Sequence, residues 1–202
     1  MHIEKNVIEI LIGTIMNTKD KTKDGLQARQ DLKEMKIKKK LWPVEKNGKL
    51  TYPDAPYTLS RLEKELICKT LYQLKVPIGY SGNWRHNVNL DDLELKNLKS
   101  HDYHILMQQL LPVMLMYAFE SQKPLRAAIR PLSIFFNVLC SKVINREELM
   151  KMKDSIVETL CVFEKYFPPS FFVSMIHLVV HLADEAKICG PVRYRWMYPF
   201  ER

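Results

Sequence analysis

Apolar residues recur at helical spacing along most of the chain, and the gaps between these stripes are rich in proline, glycine and lysine. Ile3, Val7, Ile10, Leu11 and Ile15 make the first stripe, with Glu4 and Glu9 on the other face. That spacing predicts a short amphipathic helix ending near Met16. Asn17 to Asp24 reads as a polar loop, and Leu26 to Met35 as a second, weaker helix. Periodicity then fades from Lys36 to Tyr57, where Pro43, Gly48, Pro53 and Pro56 punctuate a stretch expected to be a linker. Ser60-Arg-Leu-Glu63 fits a capping box opening a helix to about Leu74, with Leu62, Leu66 and Leu71 near one face. Ile78 to Asn89 reads as a loop.

The second half is more regular. Leu106, Leu110, Met114 and Ala118 predict a helix after Ser100, kinked near Pro112. Pro124 suits the first turn of the next helix, which runs to about Val143 with a break near Pro131. Leu149, Met152, Ile156, Leu160 and Phe163 give the cleanest pattern, from Glu147 to about Phe167. Pro168-Pro169 ends it, Ser170 is expected to cap the last helix, and Gly190-Pro191 closes that helix after Lys187. The fold class is therefore all-α in the main, a helical bundle with an irregular Pro/Lys-rich linker. Tyr194, Trp196, Tyr198 and Phe200 alternate with Arg193, Arg195, Met197 and Pro199, predicting a short extended C-terminal segment.

Composition changes this picture little. The 202 residues are 47% hydrophobic and 27% charged, as in an ordinary chain with a real core. No apolar run reaches the roughly 18 residues of a membrane span, and a signal-peptide pattern is lacking, so a nuclear or cytosolic location is expected. Cys68, Cys140, Cys161 and Cys189 show no CxxC spacing; Cys140 and Cys161 read as reduced core residues.

Charge is more informative. The 31 basic and 23 acidic residues give +8, with one compact run at Lys36-Ile-Lys38-Lys39-Lys40. That run reads as a phosphate-binding or nuclear-localisation patch, or as a solvated connector, with the connector preferred. Arg193 and Arg195 among aromatic rings suit phosphate contacts plus base stacking; the same pattern also fits rings buried along one edge while the arginines reach solvent. Lys38, Lys39, Lys40, Arg193, Arg195 and Trp196 are therefore the candidate nucleic-acid contacts, with DNA as the candidate partner.

Two histidine clusters remain. His177 and His181 stand one helical turn apart with Glu185 a turn further on, a spacing that can hold a metal. The zincin pattern needs a Glu after the first His, where Leu178 stands, so packed or hydrogen-bonded imidazoles are preferred and no metal site is expected. In His101-Asp102-Tyr103-His104, Asp102 suits the positive end of a helix and His101 its cap; Asp102 with either His could also form an acid–base pair.

Several of these segments carry a resemblance. Met1-His-Ile-Glu-Lys-Asn-Val7, Ile12-Gly-Thr14 and Lys21-Thr-Lys-Asp-Gly-Leu26, with Ala28-Arg29 and Asp31-Leu32, look like the closing part of the catalytic region in plant CACTA (En/Spm-class) transposases. Leu98-Lys-Ser-His-Asp-Tyr-His-Ile-Leu-Met-Gln108, Pro168-Pro-Ser-Phe-Phe172 and Cys189-Gly-Pro through Trp196-Met-Tyr-Pro-Phe-Glu-Arg202 resemble the plant domain of unknown function that follows it.

The resemblance implies a parent that cuts and rejoins DNA through an RNase H-like core. In that core an Asp-Asp-Glu set binds two Mg²⁺ or Mn²⁺ ions, which would stabilise the attacking and leaving oxygens. The family's Asp-x-x-His motif would have its Asp before Met1, and the two catalytic aspartates would lie further upstream. Glu201 is the candidate for the final carboxylate and Glu4 the weaker one; either also reads as a structural ion pair. The expectation is a non-catalytic C-terminal fragment or gene relic, with no cofactor of its own and the rest of a transposase as a partner. Its expected divisions are a catalytic-region remnant (1–35), a linker (36–57), a helical connector (58–97) and a helical domain (98–202). The alternative is a helical DNA- or protein-binding module retained after loss of catalysis.

Overall fold

In the computed structural model, which describes residues 2–46, 48–77 and 83–195, the first helix sits at the centre. α1 (His2–Ile15) buries Glu4, Val7, Ile8, Ile10, Leu11, Ile12, Gly13, Thr14 and Ile15, so it is enclosed on nearly every side. The expected amphipathic helix is thus a core helix. A 3.6-residue period with two glutamates looks half-exposed until partner groups inside the fold claim the polar face.

A loop with left-handed Asn17 and Asp20 turns the chain into α2 (Leu26–Glu34). The expected linker is ordered. It contains a 3₁₀ turn (Lys39–Leu41), then a hairpin of β1 (Val44–Lys46) and β2 (Lys49–Thr51) paired antiparallel with Glu45 opposite Leu50. It buries Leu41, Ala55 and Tyr57 in the main core. α3 (Arg61–Gln73) opens with the expected capping box: the Ser60 amide donates to Glu63 Oε2 at 2.8 Å and the Glu63 amide to Ser60 Oγ at 3.3 Å. Its buried face is Ile67, Cys68 and Leu71, whereas Leu62 and Leu66 face solvent at 78% and 55% exposure. A second small hairpin, β3 (Val88–Asn89) with β4 (Glu94–Leu95), follows.

α4 (Ser100–Ile105) runs through a π-helical turn (Leu106–Leu110) into α5 (Leu111–Met114). The Leu111 amide reaches back five residues to Leu106 O. This wider turn is where the expected kink falls, because Pro112 has no amide for a normal helical bond and its ring would crowd the carbonyl of Gln108. α6 (Lys123–Leu139), by contrast, continues unbroken through Pro131 and ends before Val143. α7 (Arg146–Tyr166) is capped by Asn145, whose Oδ1 accepts from the Glu147 amide at 2.9 Å.

The last helix is broken into α8 (Ser174–Leu178), a 3₁₀ turn (Val179–His181) and α9 (Leu182–Cys189). Ser170 does not cap it. Instead Ser170 lies in a 3₁₀ turn (Pro169–Phe171), and its Oγ donates to Lys23 O at 2.5 Å. Residues Val192–Arg195 form a further 3₁₀ turn rather than an extended strand; the remainder of that expected segment, 196–202, lies outside the described residues.

One apolar core runs from Val7 to Ala186 and takes residues from all four expected divisions. Within it Phe167 stacks on Phe171 at 4.1 Å and meets Tyr57 at 5.0 Å, tying the Pro-Pro-Ser-Phe-Phe corner to the strap that precedes α3. The fold is mainly α-helical as expected, with two small antiparallel hairpins among the described residues. No described helix is long and apolar enough to cross a membrane. Cys68 and Cys140 are buried, but Cys161 is exposed, contrary to its expected place in the core.

The loop after α1 packs so tightly that Gly13 has no room for a side chain. A Cβ there would lie 2.9 Å from both the Lys21 Cβ and the Lys21 carbonyl oxygen. Gly13→Ala gains helix propensity yet should destabilise the fold by about 1–3 kcal/mol through overpacking. The check is a lower denaturation midpoint at unchanged slope; equal or greater stability would refute the close approach.

Candidate functional site

A glutamate on an enclosed helix must find its partners inside the protein, because a buried charge left unpaired is costly. Glu4 is 2% exposed. His104 and Gln108 stand one helical turn apart where α4 enters the π turn, and so face α1 together. Glu4 Oε2 lies 2.9 Å from His104 Nδ1, and Glu4 Oε1 accepts from Gln108 Nε2 at 2.8 Å. Gln108 also donates to Phe136 O at 3.2 Å and lies 3.1 Å from His104 Nδ1. The end of α6 adds Cys140, whose Sγ is 3.8 Å from Glu4 Oε2. Burial first, and then the Glu4 charge, push the Cys140 thiol far up from its ordinary range.

This network joins α1, α4 and α6 through one carboxylate. Of its members, Glu4 reads in the sequence as a weak candidate catalytic residue or a structural ion pair, and the contact with His104 agrees with the second; His104 reads only as a candidate partner of Asp102. Asp102 is engaged elsewhere: its Oδ2 accepts from the Lys99 amide at 2.9 Å, a helix-start contact consistent with its preference for that end. Cys140 is the buried, reduced cysteine expected, but its place beside Glu4 has no signal in the sequence, and Gln108 has none beyond its motif. The usable signal was the four-residue spacing of His104 and Gln108 on one face.

A parallel contact lies further along α1. The Tyr103 hydroxyl donates to Glu9 Oε1 at 2.9 Å, and Lys21 Nζ reaches both groups at 3.4 Å. Burial and then Glu9 push the Tyr103 hydroxyl up.

A second buried polar centre holds the strap. Arg29, wholly buried, grips Asp24 with two parallel bonds, Nε to Oδ1 at 2.5 Å and Nη2 to Oδ2 at 2.7 Å. Its Nη1 donates to Leu41 O at 2.9 Å, and its guanidinium lies 5.3 Å from the Tyr52 ring centre. Burial opposes the charged form most strongly, but the Asp24 bond together with the charges of Tyr57, Asp24 and Tyr52 outweighs it, and Arg29 is pushed up. The Tyr57 hydroxyl is pushed up by burial and then by the Asp24 charge.

The expected nucleic-acid residues divide. Lys38 is not a free cation: it donates to Glu164 O at 2.6 Å and to Phe167 O, closing the C-terminus of α7. Burial lowers its pKa, with Glu164 partly opposing that. Lys39 and Lys40 are exposed and share an open groove with Lys165, Gln122 and Tyr166. Arg193 and Arg195 are exposed, and Arg195 Nη2 lies 3.4 Å from Gly190 O. Trp196 and Glu201 lie outside the described residues. His177 and His181 are exposed rather than packed, with their Nε2 atoms 3.3 Å apart and rings edge to face. Among the described residues, the set that gathers three donors suited to a metal is Glu4, His104 and Cys140.

Residues 139–202 match the family model of a domain of unknown function (DUF4218). The match takes in Cys140 and α7 to α9, while Glu4, His104 and Gln108 precede it. No curated protein and no solved structure matches the chain.

The Arg29–Asp24 pair gives the sharpest stability test. Arg29→Met strands a buried carboxylate and should cost about 3–5 kcal/mol in urea unfolding. Asp24→Leu with Arg29→Met together should cost clearly less than the two single changes summed. A single-variant loss below about 1 kcal/mol would contradict the burial of the pair.

Proposed function

We propose that this chain is a non-catalytic helical module of a transposase-like protein, whose parent acts in DNA transposition in the nucleus. The match of residues 139–202 to the domain model supports the appended-domain half of that reading. The observation that carries the non-catalytic half is the setting of Glu4. A two-metal phosphoryl-transfer centre needs several carboxylate oxygens around hard Mg²⁺ or Mn²⁺ ions. Glu4 is surrounded instead by an imidazole, a carboxamide and a thiol. The divalent ions of the parent's reaction are thus assigned to carboxylates beyond this cluster, and this module supplies packing and positioning. The purified chain, mixed with Mg²⁺ or Mn²⁺ and a plasmid carrying CACTA-type element ends, should leave the plasmid supercoiled. Metal-dependent nicking lost in Glu4→Ala or Glu201→Ala would overturn the reading.

A direct DNA-binding role is the second reading, and the lysine groove favours it. Lys39, Lys40 and Lys165 offer exposed ammonium groups along one opening of about 590 Å³. Neutralising phosphates there would release counterions, so affinity should fall steeply with salt. Changing all three lysines to alanine should flatten that salt dependence by about 3 units of log–log slope for duplex DNA, measured by fluorescence anisotropy. A slope unaffected by the triple change would remove the groove from consideration.

A further inference from the structure

Three donors of the kinds that hold transition metals meet between three helices: a carboxylate oxygen from α1, an imidazole nitrogen from α4 and a thiol sulfur from the end of α6. These atoms all lie within 4.8 Å of one another. Glu4 Oε2 is their common neighbour, 2.9 Å from His104 Nδ1 and 3.8 Å from Cys140 Sγ. Around a tetrahedral zinc ion with its usual bond lengths, adjacent donors stand about 3.3–3.7 Å apart. Shifts of a few tenths of an ångström in Glu4 therefore bring both of these pairs to ligand spacing. We propose that Glu4 Oε2, His104 Nδ1 and Cys140 Sγ form a structural binding site for a zinc-class divalent ion, with a water in the fourth position.

The chemistry of the set selects the metal. Sulfur and imidazole nitrogen favour zinc over magnesium or manganese, so this site is distinct from the parent's phosphoryl-transfer ions. Charge also balances. One carboxylate and one thiolate neutralise a divalent ion, which makes the complex suited to a buried place. On binding, the Cys140 thiol proton leaves to solvent, and His104 carries its proton on Nε2 so that Nδ1 offers its lone pair. Gln108 keeps its bond to Glu4 Oε1 and to Phe136 O, orienting the carboxylate from outside the metal's own ligands.

The site is tested independently of any DNA chemistry. Protein purified without chelator should carry about one zinc per chain by elemental analysis, as one three-residue site with a water predicts. Metal-free protein titrated with Co²⁺ should develop visible tetrahedral absorption and a thiolate-to-cobalt charge-transfer band. That band should vanish in Cys140→Ser and persist in Cys161→Ser, in Cys189→Ser and in the double change His177→Ala/His181→Ala. Gln108→Ala should weaken binding by about 10- to 100-fold. Circular dichroism confirms that each variant is folded, and the wild-type spectrum decides alone should Cys140→Ser fail to fold. Folded wild-type protein with neither zinc nor a cobalt–thiolate band would overturn the site, as would a band unchanged by Cys140→Ser.

Discussion

The structure turns on a carboxylate shut away from bulk solvent. Glu4 sits on a helix whose other faces are packed with valine, leucine and isoleucine, so every bond its oxygens make must come from the protein. Its donors are drawn from α4 and from the end of α6, about a hundred residues or more away in sequence. Those helices cannot slide along α1 without stranding the charge. Apolar packing holds them against the helix, and the carboxylate network sets their register, since hydrophobic contact is non-directional and hydrogen bonds are not.

The same logic extends to the strap between α2 and α3. A proline- and lysine-rich stretch with few apolar positions has little drive to order itself. Here it is fastened by polar groups at two points: Arg29 holds Leu41 O, and Lys38 holds the last carbonyls of α7. Leu41 itself enters the core, and Ala55 and Tyr57 follow it further along the strap. A charged residue therefore anchors the segment as firmly as an apolar one, because its removal would leave carbonyls or a carboxylate without partners.

This explains what was legible in the sequence. Helix positions followed from apolar spacing, and both the Ser60/Glu63 box and the break before Pro112 followed from local chemistry, so these agree with the structure. Faces were less legible. Glu4 looked like the outer face of an amphipathic helix, and Leu62 and Leu66 like an inner one, because periodicity reports a stripe without reporting which neighbours cover it. The run at Lys38–Lys40 contains one capping cation and two solvated ones, a difference set wholly by where the end of α7 arrives. Of the candidate metal cluster, single residues were visible but the meeting of positions 4, 104 and 140 was not; no local pattern encodes a contact across such separations.

The motif segments also meet one another. Glu4 of His-Ile-Glu-Lys-Asn bonds to His104 and Gln108 of the Ser-His-Asp-Tyr-His stretch, and Lys23 of Lys-Thr-Lys-Asp-Gly accepts from Ser170 of Pro-Pro-Ser-Phe-Phe. Asp24 and Arg29, from the same early segment, lock together and reach the strap. Motif groups used this way, side chains and the Lys23 main-chain carbonyl alike, serve the fold by satisfying one another. The division at residues 36–57 accordingly does not separate two cores; the two motif groups are halves of one packing problem. Lys39, Lys40 and Lys165 stay outside this mesh, exposed cations gathered at one opening.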